Sequence, residues 1–245
     1  MFALRGFFPP PTTQAHPETL LTLAETAVDR RFACGFHKTY TYNGDFIDAT
    51  HASFKTCPTK LGMIDIGIEG WLLPADALKL YELAYYARGD VLELGTYRGL
   101  SANVIRRAIL ASGRPRRKLV SVDLDPGSTA AGHASVAGEK GARRLRFLNT
   151  SADDALETFA KTGRKFGFCF VDHSHTYAHV RSACERLADV LSPRSFCLFH
   201  DYNDPRNADP HDNDYGVFQA ANEILPGRFE AWGIYGCTGL FRLKS

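Results

Sequence analysis

From about residue 90 onward, short apolar runs alternate with amphipathic ones, and that alternation restricts the chain to one architecture. The short runs are DVLELG (90–95), KLVSVDLD (118–125), RRLRFLNT, FGFCFVD and SFCLFHD, centred near Glu93, Val122, Phe147, Cys169 and Leu198. Between them lie stretches with helical spacing: LSANVIRRAILAS, a weaker one over about 128–139, SADDALETFA with Ser151 placed to cap it, and TYAHVRSACERLADVL. PADALKLYELAYYA, opening at Pro74 and closing before Gly89, predicts a helix ahead of the first strand. Strands apolar on both faces, alternating with helices, imply a parallel sheet covered on both sides. Right-handed crossovers make such a sheet doubly wound. After a polar loop, YGVFQAANEIL reads as a helix. FEAWGIY and CTGLFRL then read as two strands with no helix between them, so they pair antiparallel. The expected fold is therefore α/β: a doubly wound, mostly parallel seven-stranded sheet, Rossmann-like, ending in an antiparallel hairpin.

The regular pattern starts at residue 62, so we place a domain at 62–245 and an N-terminal extension at 1–61, a candidate substrate cap or oligomerisation region. Within the extension, HPETLLTLAETAVDRRF predicts a helix with Leu20, Leu23, Ala24, Ala27 and Val28 on one side. A chain of 245 residues accommodates one large α/β domain with a small appendage. Its 29 basic and 27 acidic residues leave a net charge of +2, which calls for neither a nucleic-acid nor an anionic-membrane partner. The basic run Arg114, Arg116, Arg117, Lys118 reads as a solvated loop. No apolar run is long enough to span a bilayer, and MFALRGFFPPP lacks the core of a secretion signal, so the expectation is a cytoplasmic protein.

None of the six cysteines forms a CxxC pair, and Cys169 and Cys197 lie in strand-like runs where a thiol packs as a small hydrophobe. No disulfide framework is expected. The CGFH stretch at Cys34 and His37 lacks the second pair that a zinc site needs.

In a doubly wound sheet the ligand sits beyond the carboxyl ends of the strands, where strand order reverses. The first such end is ELGTYRGLS, residues 93–101, where Gly95 and Gly99 permit a tight turn. It lacks GxGxxG, since Tyr97 occupies the middle position. Glu93 inside it suits an amino-bearing ligand better than a pyrophosphate, which needs bare amides. At the second end Asp123 is placed either to accept ribose hydroxyls or to cap a helix. At the third, Ser151 and Asp153 face an adenine or cap a helix. The fourth and fifth ends, FVDHSHTY and FHDYND, bring Asp172, His173, His175, His200, Asp201 and Asn203 to neighbouring strands. The oxygens of Asp172, Asp201 and Asn203 suit magnesium or calcium, and added imidazoles suit manganese, iron or zinc.

The segments VLELGTYRGLSANVI, LVSVDLDP, FCFVDHSHTYAHV and FCLFHDY, in that order, resemble the class I S-adenosylmethionine-dependent methyltransferases. Within them the chain is similar to the macrolide-sugar O-methyltransferase and cephalosporin-hydroxylase-like group, with kinship to catechol-type O-methyltransferases. The resemblance covers about the last three-quarters of the chain, and it implies S-adenosylmethionine as cofactor. It places Glu93, Gly95, Thr96, Tyr97, Gly99 and Ser101 around the methionine part, Asp123 at the ribose, and Ser151 and Asp153 near the adenine. It puts Asp172 beside the methyl donor and on a metal with Asp201, and His175 where catechol-type enzymes place a lysine base. This chain departs from the group's Asp-Gly-Asp-His, reading Asp172, His173, Ser174, His175, and from Asp-Asn, reading Asp201, Tyr202, Asn203.

The expected function is O-methylation of a small hydroxylated metabolite. A divalent metal, magnesium or another, on Asp172, Asp201 and Asn203 lowers the acceptor's pKa, and His175 or His200 serves as base. The competing readings are a nicotinamide-linked oxidoreductase on the same sheet and a non-catalytic cofactor-binding protein. Tyr40, Tyr42, Phe46, Phe54, Trp71 and the loop 203–215 are candidates for the acceptor pocket or, for the aromatics, the core. That loop is long and polar enough to be a lid. The partner is a small-molecule substrate, and the protein is a possible homo-oligomer.

Overall fold

The computed structural model describes residues 21–24, 39–42, 46–57, 62–114, 116–209 and 211–245. In chain order the elements are β1 (Leu21–Ala24), β2 (Thr39–Tyr42), α1 (Ala49–Thr56), α2 (Pro74–Tyr86), β3 (Val91–Leu94), α3 (Leu100–Ala111) and β4 (Leu119–Asp123). There follow α4 (Pro126–Ser135), β5 (Leu145–Asn149), α5 (Ala152–Lys161), β6 (Phe166–Val171), α6 (Tyr177–Val190), β7 (Leu191–Phe199), α7 (Val217–Ile224), β8 (Phe229–Tyr235) and β9 (Thr238–Leu243).

Seven strands form one sheet in the order β5-β4-β3-β6-β7-β9-β8. The first five run parallel, and β9 pairs antiparallel with both β7 and β8. This is the architecture the alternation predicts. The chain winds outward from β3 through β4 to β5, then returns to the other side of β3 as β6 and β7. Strand order therefore reverses at β3 and β6, and their carboxyl ends open a crevice.

Both sheet faces are covered. Successive β-strand residues point to opposite sides, so Val91 enters the core beneath α2 and α3, while Leu92 and Leu94 enter the core beneath α5 and α6. Phe168 and Phe170 on β6 divide from Cys169 and Val171 in the same way. Helix starts are fixed locally. Ser151 Oγ accepts from the Asp154 amide and Asp125 from the Ser128 amide, which starts α4 at Pro126, ahead of the expected 128.

Three expectations need correction. The helix predicted over the LLTLAE stretch is not formed at 21–24, where β1 pairs antiparallel with β2; an alternating Leu-Thr-Leu is too short to separate period two from period 3.6. The rest of that predicted helix, together with Cys34 and His37, lies outside the described residues. Arg117 is not solvated: it is 6% exposed and its guanidinium donates to the carbonyls of Ala84, Tyr85 and Ala87, closing the carboxyl end of α2. Phe54 is fully buried in the core with Tyr81, so it is no part of an acceptor pocket. Its helix α1, which precedes residue 62, packs on α2 through His51 Nε2 and the Leu78 carbonyl, 3.0 Å apart. Among the described residues, no helix is long and apolar enough to cross a membrane.

Candidate active site

A single cavity of about 1270 Å³ runs along the carboxyl ends of the parallel strands. That exceeds the usual volume of a one-ligand pocket, roughly 300–1,000 Å³. Its walls come from β3 to β7, from the segment before α2, and from the β8–β9 turn.

One end is built on the turn after β3. Gly95 has φ +98°, and a Cβ there would lie 1.9 Å from the Asp172 carbonyl oxygen, so only glycine lets β3 and β6 close against each other. Asp123 at the end of β4 braces this turn. One carboxylate oxygen accepts from the amides of Thr96 (2.8 Å) and Tyr97 (3.1 Å), and the other accepts from the Asp125 amide (2.9 Å). Tyr97 is held at φ +46°, and its hydroxyl donates to Glu69. Its ring lies 5.2 Å from that of Trp71, which is 58% exposed. Leu124, next to Asp123, exposes 73% of its surface at the cavity wall.

Gly95, Thr96, Tyr97, Ser101, Asp123, Ser151 and Asp153 all line the cavity. Glu93 and Gly99 do not. Glu93 is fully buried beneath the floor, where it accepts from Ser121 Oγ, itself 2.6 Å from Thr96 Oγ1. Burial pushes its carboxyl up to about 8, against the pull of its bond with Ser101. Gly99, at φ +86°, starts α3. Ser151 spends its hydroxyl capping α5, and Asp153 accepts from Ser182 Oγ at 2.6 Å.

The other end gathers charge. His175 Nε2 lies 3.1 Å from Asp201 and 3.6 Å from Asp172. His200 Nδ1 lies 3.2 Å from Asp172 and 3.3 Å from Asp201. His200 is 6% exposed, and neither of its ring nitrogens is aligned for a hydrogen bond. Burial opposes charge on both imidazoles. The Asp172 and Asp201 carboxylates outweigh it, holding His200 well above the usual imidazole range and His175 above it. Asp172 and Asp201 are correspondingly held below the carboxylate range despite their burial, chiefly by His200. Asp201 sits at φ +52°, in the left-handed region that few non-glycine residues adopt.

Donor atoms of Asp172, His175 and Asp201 lie within 4.8 Å of one another, a set of two carboxylates and one imidazole that fits a divalent cation. Asn203 lines the same cavity. Its amide nitrogen donates to the Gly236 carbonyl, and its side-chain oxygen is buried without a hydrogen-bond partner.

Sequence reasoning missed Asp76 and Cys237, and it named Arg206 and Tyr215 only as part of the loop 203–215. Asp76, fully buried in the first turn of α2, approaches His200 Nε2 at 3.8 Å. Its only signal was an acid two residues after Pro74, which reads as a helix start. Tyr215 stacks on His175 with centroids 5.0 Å apart and rings inclined by 19°, and Arg206 lies 3.7 Å from the Tyr215 centroid. Cys237 lines the cavity beside Asp201. His173, named from the sequence and half-buried here, lines it too, and desolvation holds its imidazole down to about 4.

Residues 92–202 match the model of a methyltransferase domain family. The chain has the class I methyltransferase fold. Solved structures with this fold include the O-methyltransferase TomG of Streptomyces achromogenes, involved in tomaymycin synthesis, in complex with S-adenosylmethionine. It is 19% identical with a TM-score of 0.59, over 81% of this chain and 91% of that one. An O-methyltransferase from Bacillus cereus in complex with S-adenosylhomocysteine is 15% identical with a TM-score of 0.60, over 80% of this chain and 91% of that one. No curated protein sequence matches the chain.

Proposed function

We propose that this methyltransferase-fold protein transfers a methyl group from S-adenosylmethionine to a hydroxyl oxygen of a small molecule. The observation that carries the reading is the single cavity joining the Gly95 turn to the Asp172–Asp201 pair, roomy enough for a nucleoside cofactor and an acceptor together.

S-adenosylmethionine, when bound, supplies a sulfonium-activated methyl group. In this reading Gly95, Thr96, Tyr97 and Ser101 enclose its amino-acid part, and Glu93 and Gly99 support that wall from below. Asp123 retains lone pairs for two ribose hydroxyls, Leu124 offers an apolar face, and Ser151 and Asp153 edge the base. Holding donor and acceptor in line and away from water is the larger part of the catalysis.

A hydroxyl attacks only as its proton leaves. Asp172 and Asp201, with Asn203 on the same cavity wall, are the residues that would hold a divalent cation, which would supply Lewis acidity toward that oxygen. His175, the more exposed of the two imidazoles, is the base within reach of the acceptor, and Asp201 beside it stabilises the resulting imidazolium. The acceptor lies between Trp71 and the Tyr215 side of the cavity.

Titration calorimetry with S-adenosylhomocysteine and with NAD tests the cofactor assignment. Saturable heat is expected from the first and none from the second; the reverse result would overturn the proposal and favour an oxidoreductase.

A further inference from the structure

We infer that the amino-end face of the sheet, opposite the cavity, is a docking track for the phosphate backbone of duplex nucleic acid. The inference goes beyond the methyl-transfer reading and does not depend on it. The chain's near-neutral total of +2 conceals a segregated charge. Among the described residues, six aspartates and one arginine line the cavity. Cations collect at the opposite end, and they follow the order of the sheet. Arg143 leads into β5, Arg116 and Lys118 into β4, and Lys165 into β6, while Arg194 lies near the start of β7. In the sheet these strands run β5-β4-β3-β6-β7. With strands about 4.8 Å apart, the cations form a row roughly 20 Å long. Over that length one strand of a duplex presents about six phosphates.

A bulge in β7 adds to the row. Leu191 pairs with Phe166 and Phe196 with Phe168, so four residues of β7 stand opposite the single Gly167. Within that bulge Arg194 is exposed at φ +64°, a region that few non-glycine residues adopt. Bulges re-aim side chains, and this one turns an arginine out to solvent. Helix carboxyl ends also point to this face and attract cations. That accounts for Arg117, on the carbonyls that end α2, and for Lys165, which donates to the Asp189 carbonyl near the end of α6. It does not account for Arg116, Lys118, Arg143 and Arg194, whose side chains make no hydrogen bond or ion pair among the described residues. Acids do not offset them either. Asp90, Asp189 and Glu230 are paired with Arg164, Arg228 and Arg242, at 3.1, 3.1 and 3.6 Å. Burial lowers the Arg242 guanidinium and Glu230 opposes that, but the charges of Arg194 and Arg88 lower it further, so cations crowd here closely enough to repel. Such repulsion costs the free protein and favours an anionic partner.

What the face lacks selects among anions. Among the described residues the exposed large apolar side chains are Trp71, Tyr97 and Leu124, and all three line the cavity. An acidic protein would seek an apolar centre to its interface, and a bilayer surface would seek apolar side chains to insert. A single nucleic-acid strand would seek aromatic faces on which its bases stack. A duplex requires none of these, because its phosphates lie outside and its bases are paired within. Arginine, whose planar fork matches phosphate, predominates among the uncommitted cations. The acidic cavity repels the same backbone, so the duplex docks at the amino end alone.

Fluorescence anisotropy with a labelled mixed-sequence DNA duplex of about 20 base pairs tests the track. A dissociation constant of roughly 1–100 μM is expected at physiological salt, with a log–log salt slope of about −4 from four to five phosphate contacts. Arg143→Glu combined with Arg194→Glu should weaken binding at least about tenfold and flatten that slope. Its melting temperature should stay near that of the wild type, because both side chains are exposed. Arg98→Glu, at the cavity end, should leave affinity within about twofold. If the double variant does not fold, Arg143→Gln with Arg194→Gln removes the charges without reversing them and should still weaken binding about threefold or more. The inference is overturned by no binding at low salt, by binding indifferent to salt, or by binding that the charge-reversed variant retains. It is overturned equally if a single strand of the same length, polyglutamate or phosphatidylserine vesicles bind more tightly than the duplex.

Discussion

Single atoms govern the cofactor end of the cavity. At Gly95 a methyl group would have to occupy the place of the Asp172 carbonyl oxygen, on a backbone at φ +98° that L side chains rarely adopt. Gly95→Ala is therefore expected to cost at least about 3 kcal/mol, and to weaken S-adenosylhomocysteine binding more than tenfold, because both β3 and β6 must retreat. Chemical denaturation and calorimetry on the same variant check it. Glu93, two residues earlier, makes a different prediction. Its folded-state pKa, near 8, lies above its unfolded value near 4.5. The folded protein thus holds a proton that the unfolded chain gives up, and the associated stability is present below pH 4.5 and lost as pH rises through 8. Glu93→Gln keeps the neutral shape and removes the titration. Its melting temperature relative to wild type should rise between pH 5 and pH 8.5; a difference that stays flat would mean that Glu93 remains ionised in the fold.

The elements differ in how plainly the sequence announced them. The central parallel strands and their helices were legible because burial on both faces forces continuous apolar runs, while the edge strand β5 alternates buried and exposed residues and was read from its place in the series. The terminal hairpin was legible because nothing helical separates FEAWGIY from CTGLFRL. Strand β1 was not: four residues carry no usable period, and its partner is the equally short β2. The site divided similarly. Asp172, His175, His200 and Asp201 follow strands and could be placed by topology alone. Asp76 reaches the cavity from a helix start, where local sequence describes only the element, and Tyr215 was legible only as the end of the loop 203–215. The loop 203–215 illustrates the limit. Its polarity suggested a lid, yet Asn207 is 3% exposed and ties its start down, donating to the carbonyls of Asp201 and Asp204 and accepting from the Phe218 amide. Tyr215 anchors the far end on His175, and Gly216 donates to the His175 carbonyl at 2.8 Å. Asn207→Ala should then release Asp201 from its left-handed backbone, at a stability cost of about 2–4 kcal/mol for the buried groups left unpaired. Methyl transfer should drop at least tenfold while S-adenosylhomocysteine affinity holds, since Asn207 touches no cofactor-end residue. Wild-type rates in that variant would show that the loop's setting does not matter to Asp201.

Across the whole molecule the cavity joins strands from both windings of the sheet, from Asp123 on β4 to the residues following β7. A ligand spanning it bonds the two halves of the fold to each other, so its binding energy should register in global unfolding and not only in local order. At a concentration a hundred times its dissociation constant, S-adenosylhomocysteine should add about 2.7 kcal/mol to stability. For a chain of 245 residues, a melting shift of roughly 5–10 °C follows. NAD at equal concentration should give none. The metal reading makes a separate demand on the other end of the same cavity. Without a cation, Asp172 and Asp201 are compensated chiefly by the two imidazoles, so manganese should raise the melting temperature on its own and EDTA should reverse the shift. Asp172→Ala should abolish the manganese response and turnover, yet leave most of the S-adenosylhomocysteine response, because Gly95, Asp123 and Leu124 are unchanged. Should the variant keep the manganese shift, or keep wild-type rates with EDTA present, the cation does not sit on Asp172. Proton removal from the acceptor would then fall to His175 alone.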